Sequence, residues 1–127
     1  MSIISPTVLI AEDSRDTRHM LKRALELKGY RVLEARNGRE AVDIARDFCP
    51  NLLIVDLNMP ELDGLETIKS VRKLNLSADP VPIVAITAFN VYGMEQAALE
   101  AGCNEYMSKP FDLDEFDKKL KGLGFIL

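Results

Sequence analysis

Three acidic residues, one hydroxyl and one lysine stand in this chain where their chemistry can combine. Glu12 and Asp13 directly follow the apolar run Val8 to Ala11, and Asp56 follows Leu52 to Val55. Thr87 closes Val81 to Ile86, and Lys109, followed by Pro110, comes after the weaker run Glu105 to Met107. Brought together, Glu12, Asp13 and Asp56 would repel one another, so they need a cation or must partly stay protonated. Lys109 supplies one positive charge, too little for three carboxylates. Mg²⁺, with Mn²⁺ as an alternative, suits an all-oxygen site and leaves room for phosphate oxygens. A carboxylate beside such an ion can attack phosphorus and form an aspartyl phosphate. Phosphoryl transfer asks mainly for positioning and charge neutralisation, and Lys109 and the Thr87 hydroxyl would contribute to both.

What must position these residues is a regular string of elements. The apolar runs are Val8 to Ala11, Arg31 to Ala35, Leu52 to Val55, Val81 to Ile86 and the weak Glu105 to Met107; several are β-branched and lack alternation, as expected of strands buried on both faces. Helical patterns separate them. Met20, Leu21, Ala24 and Leu25 share one face, with Gly29 as a stop. Ala41, Val42, Ala45 and Phe48 repeat the pattern after Asn37 and Gly38, and Leu65, Ile68, Val71 and Leu74 repeat it after Asp63. Ala97, Ala98 and Ala101 end near Gly102, and Leu113, Phe116 and Leu120 follow Asp112. Asn37 with Glu40, Asp63 with Glu66 and Asp112 with Glu115 have capping-box spacing. Five strand–helix units imply an α/β fold, a doubly wound parallel sheet with helices on both faces and right-handed crossovers. In such sheets ligands bind at the carboxyl ends of the strands, where the polar residues above fall. The second strand ends in Ala35 and Arg36 and offers nothing comparable.

The 127 residues suit a single domain over 1–127. With 47% hydrophobic and 28% charged residues the chain reads as globular, and its formal charge of −4 argues against a nucleic-acid partner. No apolar run approaches the ~20 residues needed to span a bilayer, and Met1 to Pro6 has no signal-peptide pattern; the expected compartment is the cytoplasm, with no membrane partner. Cys49 and Cys103 lack partners at metal-ligand spacing and read as small buried hydrophobes. His19, the single histidine, reads as a helix-surface residue.

Taken together, Glu12-Asp13, the run Asp56-Leu57-Asn58-Met59-Pro60 with Asp63-Gly64, Thr87-Ala88, and Lys109-Pro110-Phe111 resemble the receiver domain of response regulators in two-component signalling. The resemblance covers essentially the whole chain, and the spacings from Asp13 to Asp56, Thr87 and Lys109 agree as well. It implies a flavodoxin-like (βα)5 fold of strand order 2-1-3-4-5, an order taken from the family. It implies that Asp56 is the phosphoacceptor and that Glu12, Asp13, Asp56 and the backbone carbonyl of Asn58 hold Mg²⁺. Thr87, Ala88 and Lys109 would bind the phosphoryl group, Thr87 and Tyr106 would form the switch, and the peptide before Pro110 would be cis. The implied partners are a histidine kinase or histidine phosphotransferase as donor, and a downstream protein bound through the fourth helix, fifth strand and fifth helix. The protein would be a monomer or a weak phosphorylation-dependent dimer, a signalling phosphoacceptor rather than an enzyme. Met1 and the lack of a trailing linker favour a stand-alone regulator.

Each residue alone also has an ordinary reading. Glu12 and Asp13 suit a helix start, where the dipole favours acids; Thr87 suits a strand, Lys109 a solvated loop, and Tyr106 packing at a strand edge. Arg15, Arg18, Lys22 and Arg23 on the first helix read as a solvated face or, by the resemblance, a docking face for the donor. Asp56 is harder to dismiss, since a carboxylate closing a buried run is costly without a partner. Three other functions remain in view. A degenerate receiver would only bind proteins. An aspartyl-phosphate phosphohydrolase of the haloacid dehalogenase type would carry an acid where Asn58 stands. A flavin carrier would carry a small-residue phosphate loop where Glu12 and Asp13 stand. Asn58 and the bulky Phe89 flank the site and would shield an acyl phosphate from water.

Overall fold

The computed structural model describes residues 6–59, 62–74 and 80–125; Met1 and Pro60 of the motifs above lie outside them. The elements alternate as β1 (Thr7–Ala11), α1 (Arg15–Leu27), β2 (Arg31–Ala35), α2 (Gly38–Phe48), β3 (Leu52–Asp56), α3 (Gly64–Leu74), β4 (Ile83–Thr87), α4 (Met94–Ala101), β5 (Glu105–Ser108) and α5 (Leu113–Gly122). All strand pairs are parallel and the sheet order is β2-β1-β3-β4-β5, the expected doubly wound flavodoxin-like topology.

Period-two alternation divides the buried side chains between two cores. Leu9, Ala11, Leu53, Val55, Ile83, Ala85 and Tyr106 face α2, α3 and α4, which contribute Ala41, Ala45, Ile68, Val71, Ala98 and Ala101. Val8, Ile10, Leu52, Ile54, Val84, Ile86 and Met107 face α1 and α5 through Leu21, Leu25, Phe116 and Leu120. Every residue of β3 and β4 is buried, which is why those runs show no alternation in sequence.

The caps form as their spacing predicts. Asn37 accepts from the Glu40 amide at 2.8 Å, Asp63 from Glu66 at 2.9 Å and Asp112 from Glu115 at 2.8 Å. The Asn37 box is displaced: the Glu40 carboxylate takes the amide of Arg36 (3.2 Å) rather than that of the cap residue. Gly29 adopts a left-handed φ of +92°, and the next amide, of Tyr30, bonds back to Leu25 O at 3.1 Å, closing α1.

Four expectations about burial need correction. Met20 is exposed because it lies off the Leu21–Leu25 stripe. Phe48, 63% exposed, and Leu113 sit on the right stripes, but each is a terminal residue of its helix; periodicity gives a stripe's direction, not how far along the axis its cover extends. Cys49 is an exposed helix cap at φ 46°, whereas Cys103 is buried as expected.

Two tight approaches tie helices to the rim. A Cβ on Gly38 would collide with the carbonyl oxygen of Leu62 and the Thr67 hydroxyl, so α2 meets the start of α3 only through a glycine. Gly64 packs against Leu57 and, at 2.7 Å from its missing Cβ position, the carbonyl of Asp56. On the other side of α3, Arg72 donates to Val81 O (2.6 Å), twice to Gly102 O (3.0 and 2.7 Å) and to Asn104 Oδ1 (3.0 Å). It thereby fastens α3 to the approach of β4 and to the α4–β5 turn. Gly64→Ala should therefore destabilise the fold by about 1–3 kcal/mol, the range for overpacking a site that cannot yield. Urea denaturation measures it; a midpoint equal to that of the parent would show that the Asp56–Leu57 backbone gives way.

Candidate functional site

At the carboxyl rim the sheet gathers Glu12 and Asp13 from β1, Asp56 from β3, Thr87 from β4 and Lys109 from beyond β5. Ligand oxygens of Glu12, Asp13 and Asp56 all lie within 4.8 Å of one another. Glu12 is fully buried, Asp56 nearly so, and Asp13 faces solvent. The Glu12 amide extends the β1–β2 ladder to Ala35 O (3.0 Å), and its carboxylate accepts from the Ser14 amide at 3.0 Å. Lys109 Nζ stands 2.7 Å from Glu12 Oε1 and 3.3 Å from Asp56 Oδ2. The remaining Asp56 oxygen accepts from the Asn58 amide at 2.9 Å.

Electrostatics follow from that crowding. Burial, then hydrogen bonding to Asp56, raises the Glu12 pKa to about 7, against the opposing pull of Lys109 and the Ser14 amide. Burial disfavours the Lys109 ammonium, yet its bond and attraction to Glu12 and Asp56 outweigh that and raise its pKa. Two buried carboxyls therefore share one ammonium, with a third carboxylate at the mouth. This all-oxygen, charge-overloaded donor set fits a hard divalent cation such as Mg²⁺.

Thr87 is buried, and its hydroxyl oxygen accepts from Asn58 Nδ2 at 2.6 Å and from the Phe89 amide at 3.0 Å. With both acceptor positions used, the hydroxyl proton remains to donate. Ala88 lies exposed at the rim beside it. The Lys109–Pro110 peptide is cis, as expected, and the Lys109 amide donates to Thr87 O at 2.7 Å. Tyr106, on the edge strand β5, is buried in the core shared with α2, α3 and α4, and its hydroxyl donates to Asn90 Oδ1 at 2.8 Å. Phe89 is 62% exposed, and His19 lies on the surface, apart from the site.

Three contacts escaped the sequence reading. Beyond the shielding role expected of it, the Asn58 side chain links the Asp56 loop to Thr87. Asn90 holds the Tyr106 hydroxyl. Arg18 and Lys22 are not a purely solvated face, since both pair with Glu34 on β2 at 3.1 Å. Their i,i+4 spacing was visible, but the acidic residue they meet is on a strand whose neighbours had to be known first.

The chain matches the family described as the response regulator receiver domain over residues 8–121. It is 37% identical over 116 residues to the response regulator MprA of Mycolicibacterium vanbaalenii, covering 91% of this chain but only 49% of that protein, so it spans about half of that relative's length. It is 34% identical over 115 residues to the polar-differentiation response regulator DivK of Brucella anthropi, covering 91% of this chain and 93% of DivK. It also superposes, with a TM-score of 0.84 and 34% identity over 94% of its length and 90% of the other chain, on a chain from the complex of the Saccharomyces cerevisiae histidine phosphotransfer signaling protein Ypd1 with the receiver domain of its downstream response regulator Ssk1.

The buried Glu12 carboxyl carries a pH signature. Its pKa is raised on folding from 4.5 to about 7, so between those values the folded state holds a proton that the unfolded chain has released. Stability of the metal-free protein is then greatest below pH 4.5 as far as this group is concerned. It falls as pH rises through that window, with a slope approaching about 1.4 kcal/mol per pH unit, and levels off above pH 7. Urea titrations in chelator at stepped pH should show this fall, and Glu12→Gln should flatten it; an equal slope in the variant would assign the proton elsewhere.

Proposed function

The chain belongs to the response regulator receiver domain family, and on that premise we propose that it takes a phosphoryl group onto Asp56 in a two-component phosphorelay. The observation that carries this reading is the convergence of Glu12, Asp13 and Asp56 within 4.8 Å of one another, with Lys109 bridging Glu12 and Asp56 and the Thr87 hydroxyl fixed on the adjacent strand. The proposed donor is a phosphohistidine on a kinase or phosphotransfer protein. Similarity to a chain of the Ypd1–Ssk1 complex supports that class of donor. The setting is the cytoplasm; among the described residues no helix is long and apolar enough to cross a membrane.

Glu12, Asp13, Asp56 and the Asn58 carbonyl would hold Mg²⁺, or Mn²⁺. The ion supplies charge neutralisation for the entering phosphoryl oxygens. Asp56 provides the nucleophilic oxygen: its O–P bond forms as the donor's P–N bond breaks, and the electron pair leaves with the imidazole nitrogen. The Asn58 amide, at 2.9 Å, orients the carboxylate. Lys109 exchanges its Asp56 contact for a phosphoryl oxygen, and Thr87 donates its hydroxyl proton to another. The protein acts as a phosphoacceptor and not as an enzyme on a separate substrate.

The signal leaves through the neighbouring elements. When Thr87 moves toward the phosphoryl group, it gives up its bonds to Asn58 and Phe89 and vacates space near Tyr106. The Tyr106 ring then shifts, altering the face formed by α4, β5 and α5 for a downstream protein. This is a bistable element biased by a local change of charge.

Incubated with Mg²⁺ and acetyl phosphate, the protein should gain the mass of one phosphoryl group. Asp56→Ala, or chelation of Mg²⁺, should prevent it; an adduct persisting in Asp56→Ala would place the chemistry elsewhere. Tyr106→Ala should still be phosphorylated but lose the phosphorylation-dependent gain in affinity for a partner, and an unchanged gain would remove Tyr106 from the switch. Phe89→Ala should shorten the lifetime of the adduct in the same mass assay; an equal lifetime would show that the exposed ring does not shield it.

A further inference from the structure

The turn between β1 and α1 carries two of the three clustered acids, and one side chain grips its backbone. Arg18, in the first turn and a half of α1 and mostly withdrawn from solvent, donates from Nη1 to the carbonyl oxygen of Glu12 at 3.0 Å and from Nε to Glu34 Oε1 at 3.1 Å. The other oxygen of Glu34 takes Lys22 Nζ at 3.1 Å. The gripped carbonyl belongs to the peptide joining Glu12 to Asp13, so fixing it fixes the plane from which the Asp13 side chain departs.

The two acids depend on that grip unequally. Glu12 has its own restraints: the amide on Ala35 O, and the carboxylate between the Ser14 amide and Lys109. Asp13 has none of that kind, since it is exposed and no hydrogen bond or ion pair to a described residue holds its carboxylate. Its direction is inherited from the backbone. Holding the backbone from α1 while being held from β2 requires donors pointing two ways from one rigid head. Guanidinium has that geometry and an ammonium does not. Glu34 also offsets the cost of drawing the Arg18 charge out of water.

We propose that Arg18 is a positioning residue for the divalent cation: anchored by Glu34, it clamps the Glu12–Asp13 peptide so that the Asp13 carboxylate is presented to the ion. This rests on the reading of the acidic cluster as a Mg²⁺ site. Lys22 shares Glu34 but touches no part of the turn, so it serves as the internal control.

The test is a titration of the full chain with Mg²⁺ alone, without phosphodonor, followed by backbone amide chemical shifts. Arg18→Met should weaken Mg²⁺ binding about tenfold, the lower bound for removing a partner that orients a metal ligand. Arg18→Lys should recover only part of the loss, and Lys22→Met should bind as the parent does. The decisive comparison is the double variant. In an Asp13→Ala background Arg18→Met should cost little more, because its effect runs through Asp13. Unchanged binding by Arg18→Met, or a full additional loss in the Asp13→Ala background, would overturn the positioning role. If Arg18→Met does not fold, Glu34→Gln, which frees the anchor while keeping the guanidinium, should show a smaller loss that likewise vanishes in the Asp13→Ala background. Were the parent itself to bind no Mg²⁺, the metal reading would fall and this inference with it. Parent binding with an unaffected Arg18→Met would sink the inference alone.

Discussion

One ammonium shared between two carboxyls that the sheet has taken out of water is the constraint on which the rim depends. Glu12 and Asp56 end β1 and β3, adjacent parallel strands about 4.8 Å apart, and neither could be buried there as an isolated charge. Lys109 starts beyond β5, two strands from Asp56, and it reaches both acids only because its own amide first extends the β4–β5 ladder to Thr87 O at 2.7 Å. Sheet order, strand length and the position of the last turn must therefore agree before the lysine arrives between the acids. Even then one ammonium does not balance the cluster; burial first, and the hydrogen bond to Asp56 second, are why the Glu12 carboxyl holds its proton so strongly.

Around that point the rim is wired rather than draped. Asn58 links the loop after Asp56 to Thr87, Gly64 lets the start of α3 rest on the Asp56 carbonyl, and Arg72 binds the far end of α3 to the turns bracketing β4 and β5. Each connection joins elements distant in sequence, so a displacement at one strand end has few independent ways to relax. Side chains packed this closely have discrete arrangements rather than continuous ones, a property required of the proposed switch.

How much of this could be read from the chain divides along a physical line. Strand identities, helix caps and the polar residue ending each strand were legible, because they depend on local period and on spacings of three or four residues. That the second strand ends in Ala35 and Arg36, without a polar group for the acidic cluster, was legible for the same reason. The neighbour order of the strands was not; it came with the family resemblance, since nothing local says that β1 lies between β2 and β3. Everything conditional on that order stayed hidden as well. Glu34 looks like an ordinary strand acid until β2 is known to flank β1, and only then do Arg18 and Lys22 have an address. Phe48 and Leu113 went wrong for a different reason: an apolar stripe carries an angle but no information about where the opposing sheet stops.

Cys49 offers a practical consequence. It caps α2 in a left-handed conformation, exposed, just before the chain turns into β3. It therefore lies at the amino ends of the strands, the pole opposite the acidic cluster. The only other sulfhydryl, Cys103, is buried and its pKa is pushed up to about 11 by that burial. Nature has thus left the molecule with one addressable handle, remote from the rim. A fluorophore or spin label coupled there would ride on a rigid helix end and report tumbling and assembly without intruding on the chemistry at the other pole.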